Sequence, residues 1–332
     1  MSTAIETAKN ETETAKQTVS VSIPADVARQ FKAKHYRVIF SQLGENCRLS
    51  CWGYAIQWTA DDSRDVSATM PPGWLELSKA GLPVEVVADD STTLDWRDYS
   101  ATKVETDCDR DALQWVALAA DDQSSRFALA GVAVTELGTL VATDGRRLHV
   151  ATTAYPYPVG QSNDIAVGII PSESVAVACR LARKSSILTI SIFDWSAQIE
   201  LVTKNGTRLT VWSRLIEGRF PRWADCIPGT KGEKGELERI DSKELKAETA
   251  RCNANHQAAT AKLSAKDAKK VAIERPERTV GAACFDLRYL ADIPADSRFG
   301  CDTKRTGAYR FDFESFGHQC TAVVMPLVRD KR

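Results

Sequence analysis

Apolar residues recur with helical spacing in two places. Leu113, Val116, Ala117 and Ala120 form one stripe within Asp109–Ala120. Val175, Ala178, Cys179 and Ala182 form another just after Pro171, whose fixed φ suits the start of a helix. Three extended runs follow each stripe: Phe127–Thr135, Thr139–Thr143 and Leu148–Thr153 after the first, and Ile187–Phe193, Gln198–Thr203 and Arg208–Trp212 after the second. Asn205-Gly206 marks the turn between the last two runs. A helix followed by three strands is therefore written twice between residues 107 and 228. Such a duplication predicts that both helices bury their apolar faces on one side of a sheet.

The flanks are less regular. Residues 1–19 are polar, echo Glu6-Thr7-Ala8-Lys9 at Glu13-Thr14-Ala15-Lys16, and read as a disordered tail. From 20 to 106, Ser22-Ile23-Pro24 opens a short helix through Val27 and Phe31. Strands are predicted at Tyr36–Phe40, Leu49–Trp58 and Val84–Val87, with a break at Met70-Pro71-Pro72-Gly73. Residues 229–236 read as a charged, flexible linker. Beyond it, Ser242 to Val271 has helix-forming composition and Phe285–Ile293 reads as a short helix. Closing strands are predicted at Phe299–Asp302, Tyr309–Phe313 and Cys320–Met325.

Composition narrows the function. The 332 residues exceed one ordinary core, and 43% hydrophobic with 26% charged residues is globular usage. The longest uncharged apolar stretches, near Ile165–Pro171 and Ile187–Phe193, are too short to cross a bilayer. The first twenty residues carry Glu6, Glu11 and Glu13 without an apolar block, so a cytoplasmic location is expected. The nine scattered cysteines fit a reducing compartment and free thiols. A net charge of −1 excludes a protein that coats nucleic acid through general positive charge, and leaves room only for a local basic surface. Such a surface is available on the helices' free faces, at Arg110, Arg180, Arg183 and Lys184. Another lies in 243–278, where nine Lys or Arg face five Asp or Glu.

Catalytic signatures do not emerge. The glycines of 229–235 do not form a phosphate-binding loop, and neither a nucleophile elbow nor a His-Glu-x-x-His helix is present. Cys47/Cys51 and Cys252/His256 lack the spacing of a zinc knuckle. Asp144, in the turn Ala142-Thr143-Asp144-Gly145-Arg146-Arg147, is expected to order that turn by hydrogen bonding rather than to move protons. His35, His149, His256 and His318 have no nucleophile partner evident in the sequence.

Three segments carry a resemblance. Leu140-Val141-Ala142-Thr143-Asp144-Gly145-Arg146-Arg147-Leu148 resembles the Ala-Thr-Asp-Gly-His-Arg-Leu signature of the bacterial sliding clamp, the beta subunit of DNA polymerase III. Ser213-Arg214-Leu215-Ile216-Glu217-Gly218-Arg219-Phe220-Pro221 is similar to the segment closing that clamp's second domain, and Val323-Val324-Met325-Pro326-Leu327 looks like its C-terminal end. Arg126–Val132 also fits the strand after the first helix of that domain. The match is good over 107–228, returns at 285–328, is poor over 237–284 and carries no motif over 1–106.

The resemblance implies an α+β fold of three clamp-type domains, with paired helices on antiparallel sheets: a divergent one at 20–106, a central one at 107–228 and a C-terminal one at 237–332. It implies a non-catalytic, head-to-tail homodimeric ring that encircles duplex DNA without sequence readout and needs no cofactor. Implied partners are the DNA polymerase III catalytic subunit, an ATP-using clamp loader and other proteins bearing clamp-binding motifs. Carried over by position, a partner-peptide pocket would include Leu129, Thr143, Gly145, Arg146, Arg147, Leu148, Pro221, Asp225, Cys226, Val323, Met325, Pro326 and Leu327. Arg146 stands where the family has His, and Asp225 and Cys226 replace a basic and a branched apolar residue, so a rim carboxylate is expected to disfavour acidic peptides. A clamp-derived adaptor that binds peptides without encircling DNA is the alternative, motivated by the unmatched first third.

Overall fold

A computed structural model describes residues 18–31, 38–51, 53–88, 100–121, 127–152, 165–229, 234–261, 275–295, 297–301 and 307–327. The expectations for residues 1–17, Tyr36, Arg37, Arg126, the Pro-rich segment 155–158, the linker core 230–233, the helix beyond 261 and the last five residues lie outside these. The chain divides into two compact units, Met1–Asp95 and Trp96–Arg332.

In the first unit, β1 (Thr18–Val21) pairs antiparallel with β6 (Val84–Val87), so a strand begins inside the stretch read as tail. Strands β2 (Ile39–Leu43), β3 (Asn46–Ser50), β4 (Tyr54–Thr59) and β5 (Val66–Thr69) form an antiparallel sheet in the order β5-β2-β3-β4. The single strand expected over Leu49–Trp58 is instead a hairpin, with Leu49 opposite Ile56 and the Cys51 amide donating to the Tyr54 carbonyl. Helices α1 (Ala25–Ala28) and α2 (Trp74–Lys79) are stubs of four and six residues. Their loss of length is offset by aromatics: the Phe31 ring lies 5.4 Å from Tyr54 and 5.9 Å from Trp74, and the Tyr54 hydroxyl donates to the Gln30 carbonyl.

The second unit contains the duplication. Strand β7 (Val104–Asp109) leads into α3 (Arg110–Ala117), and β8 (Gly131–Thr135), β9 (Leu140–Thr143) and β10 (Arg147–Thr152) follow. Strand β11 (Ala166–Pro171) leads into α4 (Ser172–Leu181), followed by β12 (Ile187–Ile192), β13 (Ser196–Val202) and β14 (Arg208–Arg214). Each half thus has a leading strand that periodicity alone did not reveal. These leading strands are exchanged: β11 adds to β8 of the first half and β7 adds to β12 of the second. The helices therefore lie over two sheets, not one side of a single sheet, and α3 packs directly against α4. Asp109 caps α3 by accepting from the Asp111 amide at 2.7 Å.

The C-terminal part holds β15 (Lys234–Glu236), α5 (Ser242–Thr260), the hairpin β16 (Glu277–Val280)–β17 (Ala283–Asp286), α6 (Leu287–Leu290), β18 (Arg298–Cys301), β19 (Tyr309–Ser315) and β20 (His318–Val324). The end of the expected linker is thus a strand, paired with β18. Strand β20 pairs with β10, which joins both parts into one antiparallel sheet ordered β11-β8-β9-β10-β20-β19-β18-β15.

Candidate functional site: a peptide-binding face at the β10–β20 seam

Alternation along β10 sorts its residues onto two faces. Leu148 and Val150 point to one side, where they join Ala133, Val141, Ile169, Phe220, Trp223, Ala308 and Val323 in a buried apolar cluster. Leu148 lies directly opposite Val323 across the seam. The segment after β14 covers this face. Its Ile216 amide donates to the Ile169 carbonyl, and Ile216, Ala224 and Ile227 pack on the cluster half-buried.

This arrangement brings together much of the expected pocket. Leu148 and Val323 lie side by side in the buried cluster, and Leu129 is also buried, just before β8. Pro221 is exposed beside the buried Phe220. Met325, 38% exposed, continues β20 two residues past Val323, and its amide donates to the Arg146 carbonyl at 2.8 Å. Pro326 and Leu327 are half-buried, and the Leu327 amide donates to the Cys284 carbonyl. Cys226 is exposed, with its thiol pKa raised first by desolvation and then by the neighbouring Asp225.

Two expected residues behave differently. Asp225 is not a lone rim carboxylate: the Arg222 Nε lies 3.0 Å from it, so it stands at the surface as half of an exposed ion pair. Arg147 shares the opposite face of β10 with His149 and points away from the cluster. Its guanidinium donates to the Asp144 and Asp292 carboxylates and to the Leu118 carbonyl, and stacks 4.6 Å from the Tyr289 ring centroid.

The turn between β9 and β10 is ordered as its sequence predicts. One Asp144 oxygen accepts from the Arg146 and Arg147 amides at 2.8 and 2.9 Å. The Thr143 hydroxyl donates to the Arg147 carbonyl and accepts from the Gly145 amide. Gly145 adopts φ 82°, a conformation most side chains resist.

The basic candidates also separate. Arg180, Arg183 and Lys184 are exposed at the C-terminal end of α4. Arg110 is mostly buried, its guanidinium donating to the Cys179 carbonyl and pairing with Asp111, so it braces α3 against α4.

Sequence reading missed several elements. Asp292 is one; another is the structural role of His149, which is buried and stacks on Trp115 at 4.3 Å and 3° with Nδ1 3.0 Å from the Trp115 carbonyl. In the first unit, a cavity of about 550 Å³ is lined by Val21, Ile23, Phe40, Cys47, Trp58 and Arg64 among others. Its polar side chains satisfy one another: Arg64 donates to Asp62 and the Ser20 carbonyl, and Gln42 to the Gly44 and Asp62 carbonyls. Among the described residues, no three His, Cys, Asp or Glu converge as a metal site would require.

Residues 103–222 match the family model described as DNA polymerase III beta subunit, central domain. Among curated proteins, none matches the chain. Solved structures do. The Helicobacter pylori beta clamp in complex with diflunisal aligns with a TM-score of 0.62 at 13% identity, covering 94% of this chain and 100% of that one. The same clamp bound to a DNA ligase peptide gives 0.60 at 14%, with the same coverage. The DNA polymerase III subunit beta of Pseudomonas aeruginosa gives 0.60 at 16%, covering 94% and 100%. The chain therefore has the beta-clamp fold over nearly its whole length, and residues 103–222 carry the match to the central domain of the DNA polymerase III beta subunit.

Proposed function

We propose that this chain is a divergent DNA polymerase III beta-type sliding clamp: a non-enzymatic ring, closed by a second copy head to tail, that encircles duplex DNA and tethers the replicative polymerase. A ring holds DNA by topology, so an overall charge near zero is compatible with the role provided that the DNA-facing surface is basic. Arg180, Arg183 and Lys184 supply such a surface beside α4, at the helix end where cations are favoured. Polymerase, loader and repair proteins dock through short peptides on the seam of β10 and β20.

The observation that carries this reading is the apolar face where Leu148 meets Val323 under the 216–227 segment. The cluster itself is filled, so Leu and Phe anchors would rest at its open edge, where Pro221 and Met325 are exposed and Pro326 and Leu327 half-buried, and Met325 adapts to varied clients. A clamp of the same fold is known bound to a DNA ligase peptide. Burying two such anchors contributes about 3–6 kcal/mol gross, so micromolar binding, about −8 kcal/mol, requires backbone hydrogen bonds as well. The test is fluorescence anisotropy with a fluorescein-labelled pentapeptide carrying adjacent Leu and Phe. Leu148→Ala with Met325→Ala is expected to abolish binding and preserve oligomeric mass, and unchanged affinity would refute the site.

A second reading has one observation in its favour. Among the described residues, the helices of the first unit have four and six residues, whereas α3 and α4 have eight and ten. A clamp-derived adaptor that binds peptides without closing a ring would tolerate such shortening. Light scattering separates the two, since a ring requires twice the 36.5 kDa chain mass and an adaptor does not.

A further inference from the structure

The outer edge of the seam depends on a residue far from it in sequence. Met325 is held by the Arg146 carbonyl, and the Arg146 amide is held by Asp144. The other Asp144 oxygen is engaged by the Arg147 Nε at 3.1 Å. Arg147 is fixed at its far end by the Asp292 carboxylate, the Leu118 carbonyl and the Tyr289 ring. Asp292 itself is only 21% exposed, and its backbone carbonyl accepts from the Trp115 indole at 2.8 Å. A short chain of polar contacts thus runs from the segment after α6, through one guanidinium, to the residue at the rim of the peptide face.

We propose that Asp292 is a positioning residue for the peptide site: by holding the Arg147 guanidinium against Asp144, it fixes the Arg146–Met325 hydrogen bond and so sets the edge on which a client peptide rests. The inference rests on the peptide-site reading above and adds to it a control point on the far face of the sheet.

Arg147 favours ionisation of Asp292, while Asp144 on the turn and Asp286 at the end of β17 oppose it. Burial is the largest influence and raises the carboxyl to about 6. Mild acid therefore neutralises Asp292 and weakens its hold on Arg147, which keeps Asp144, the Leu118 carbonyl and the Tyr289 ring. It does not thereby destabilise the fold. The native carboxyl binds its proton more tightly than the unfolded one at its ordinary 3.8, so uptake between pH 7 and 5 favours the native state at this group. Weaker peptide binding in acid without loss of stability from this group is the expected signature.

The experiment combines two readouts on the full chain. The first is anisotropy with the labelled Leu-Phe pentapeptide from pH 7.5 to 5. The second is the Met325 methyl resonance over the same range, assigned by Met325→Leu. Wild type is expected to lose affinity by about tenfold with a midpoint near 6, within the coupling range of residues sharing one network. The Met325 methyl is expected to shift with the same midpoint. Asp292→Asn, nearly isosteric, is expected to bind weakly at every pH and show no methyl titration, and Asp292→Glu to restore part of both. A methyl that titrates in wild type alone, with no peptide bound, would support the coupling and overturn the peptide site. A methyl shift and affinity profile identical in wild type and Asp292→Asn would overturn the proposal.

Discussion

His149 offers a quantitative test of how the interior of the second unit is built. Its ring is fully buried, stacked on Trp115, with Nδ1 bonded to the Trp115 carbonyl and Nε2 lacking a partner among the described residues. A second proton would place a charge in this apolar stack beside Arg147, and desolvation holds the imidazole pKa down to about 3. In the unfolded chain the same group takes its proton near 6.5. Proton uptake below that value therefore favours unfolding, and stability from this residue falls as pH falls. Between pH 7 and 5 the loss is about 2 kcal/mol, from about 1.4 kcal/mol per pH unit once the unfolded imidazole is charged. His149→Phe keeps a flat ring against Trp115 but removes the imidazole hydrogen bond from a carbonyl that then keeps only the Leu118 amide, so at pH 7 the variant is expected to be less stable by about 1–3 kcal/mol. At pH 5 most of that gap should close. Urea unfolding at both pH values, followed by tryptophan fluorescence, measures it. Parallel shifts that leave the gap unchanged would refute the assignment of a neutral, acid-resistant His149.

Two further outcomes follow from particular contacts. A Cβ at Gly131 would sit 2.3 Å from the Ile170 carbonyl oxygen, so Gly131→Ala should push β8 from β11 and lower stability by about 1–3 kcal/mol in thermal melts, whereas an unchanged melting temperature would contradict that close approach. Replacing Arg180, Arg183 and Lys184 with Ala should weaken binding to duplex DNA and reduce the slope of log affinity against log salt by up to about 3, with unfolding unaffected; an unaltered slope would remove α4 from the DNA-facing surface.

Much of the second unit was legible because its signals are local. The stripe of Leu113 and Val116 and that of Val175 and Ala178 are both buried faces of helices, and the turn at Gly206 falls between β13 and β14 as expected. What escaped had identifiable causes. Strand β7 reads Val104-Glu105-Thr106-Asp107, with acidic residues on its outer face that mask a strand. Strand β11 was seen only as an apolar stretch ahead of a helix. The β3–β4 hairpin reverses at Cys51 and Gly53 within an otherwise apolar run, without the polar residues that usually announce a turn.

The candidate site shows the same division between local and distant information. A motif match placed Arg147 and Leu148 together, yet adjacent strand residues face opposite sides, and only Leu148 reaches the apolar cluster. Asp225 was read without Arg222, three residues away, because the short 3₁₀ turn that pairs them was not evident. Asp292 was invisible for a different reason. Its partner is 145 positions away along the chain, and no local pattern encodes such a contact.

Topological capture of DNA is the claim on which the function stands. Protein placed on a nicked circular duplex by a clamp loader should remain bound through a wash in high salt, which strips contacts made by charge alone. Cutting that circle with a restriction enzyme should then release it, as the ring slides off the free ends. Equal rates of loss from the circle before and after cutting would contradict encirclement and leave a peptide-binding adaptor in its place.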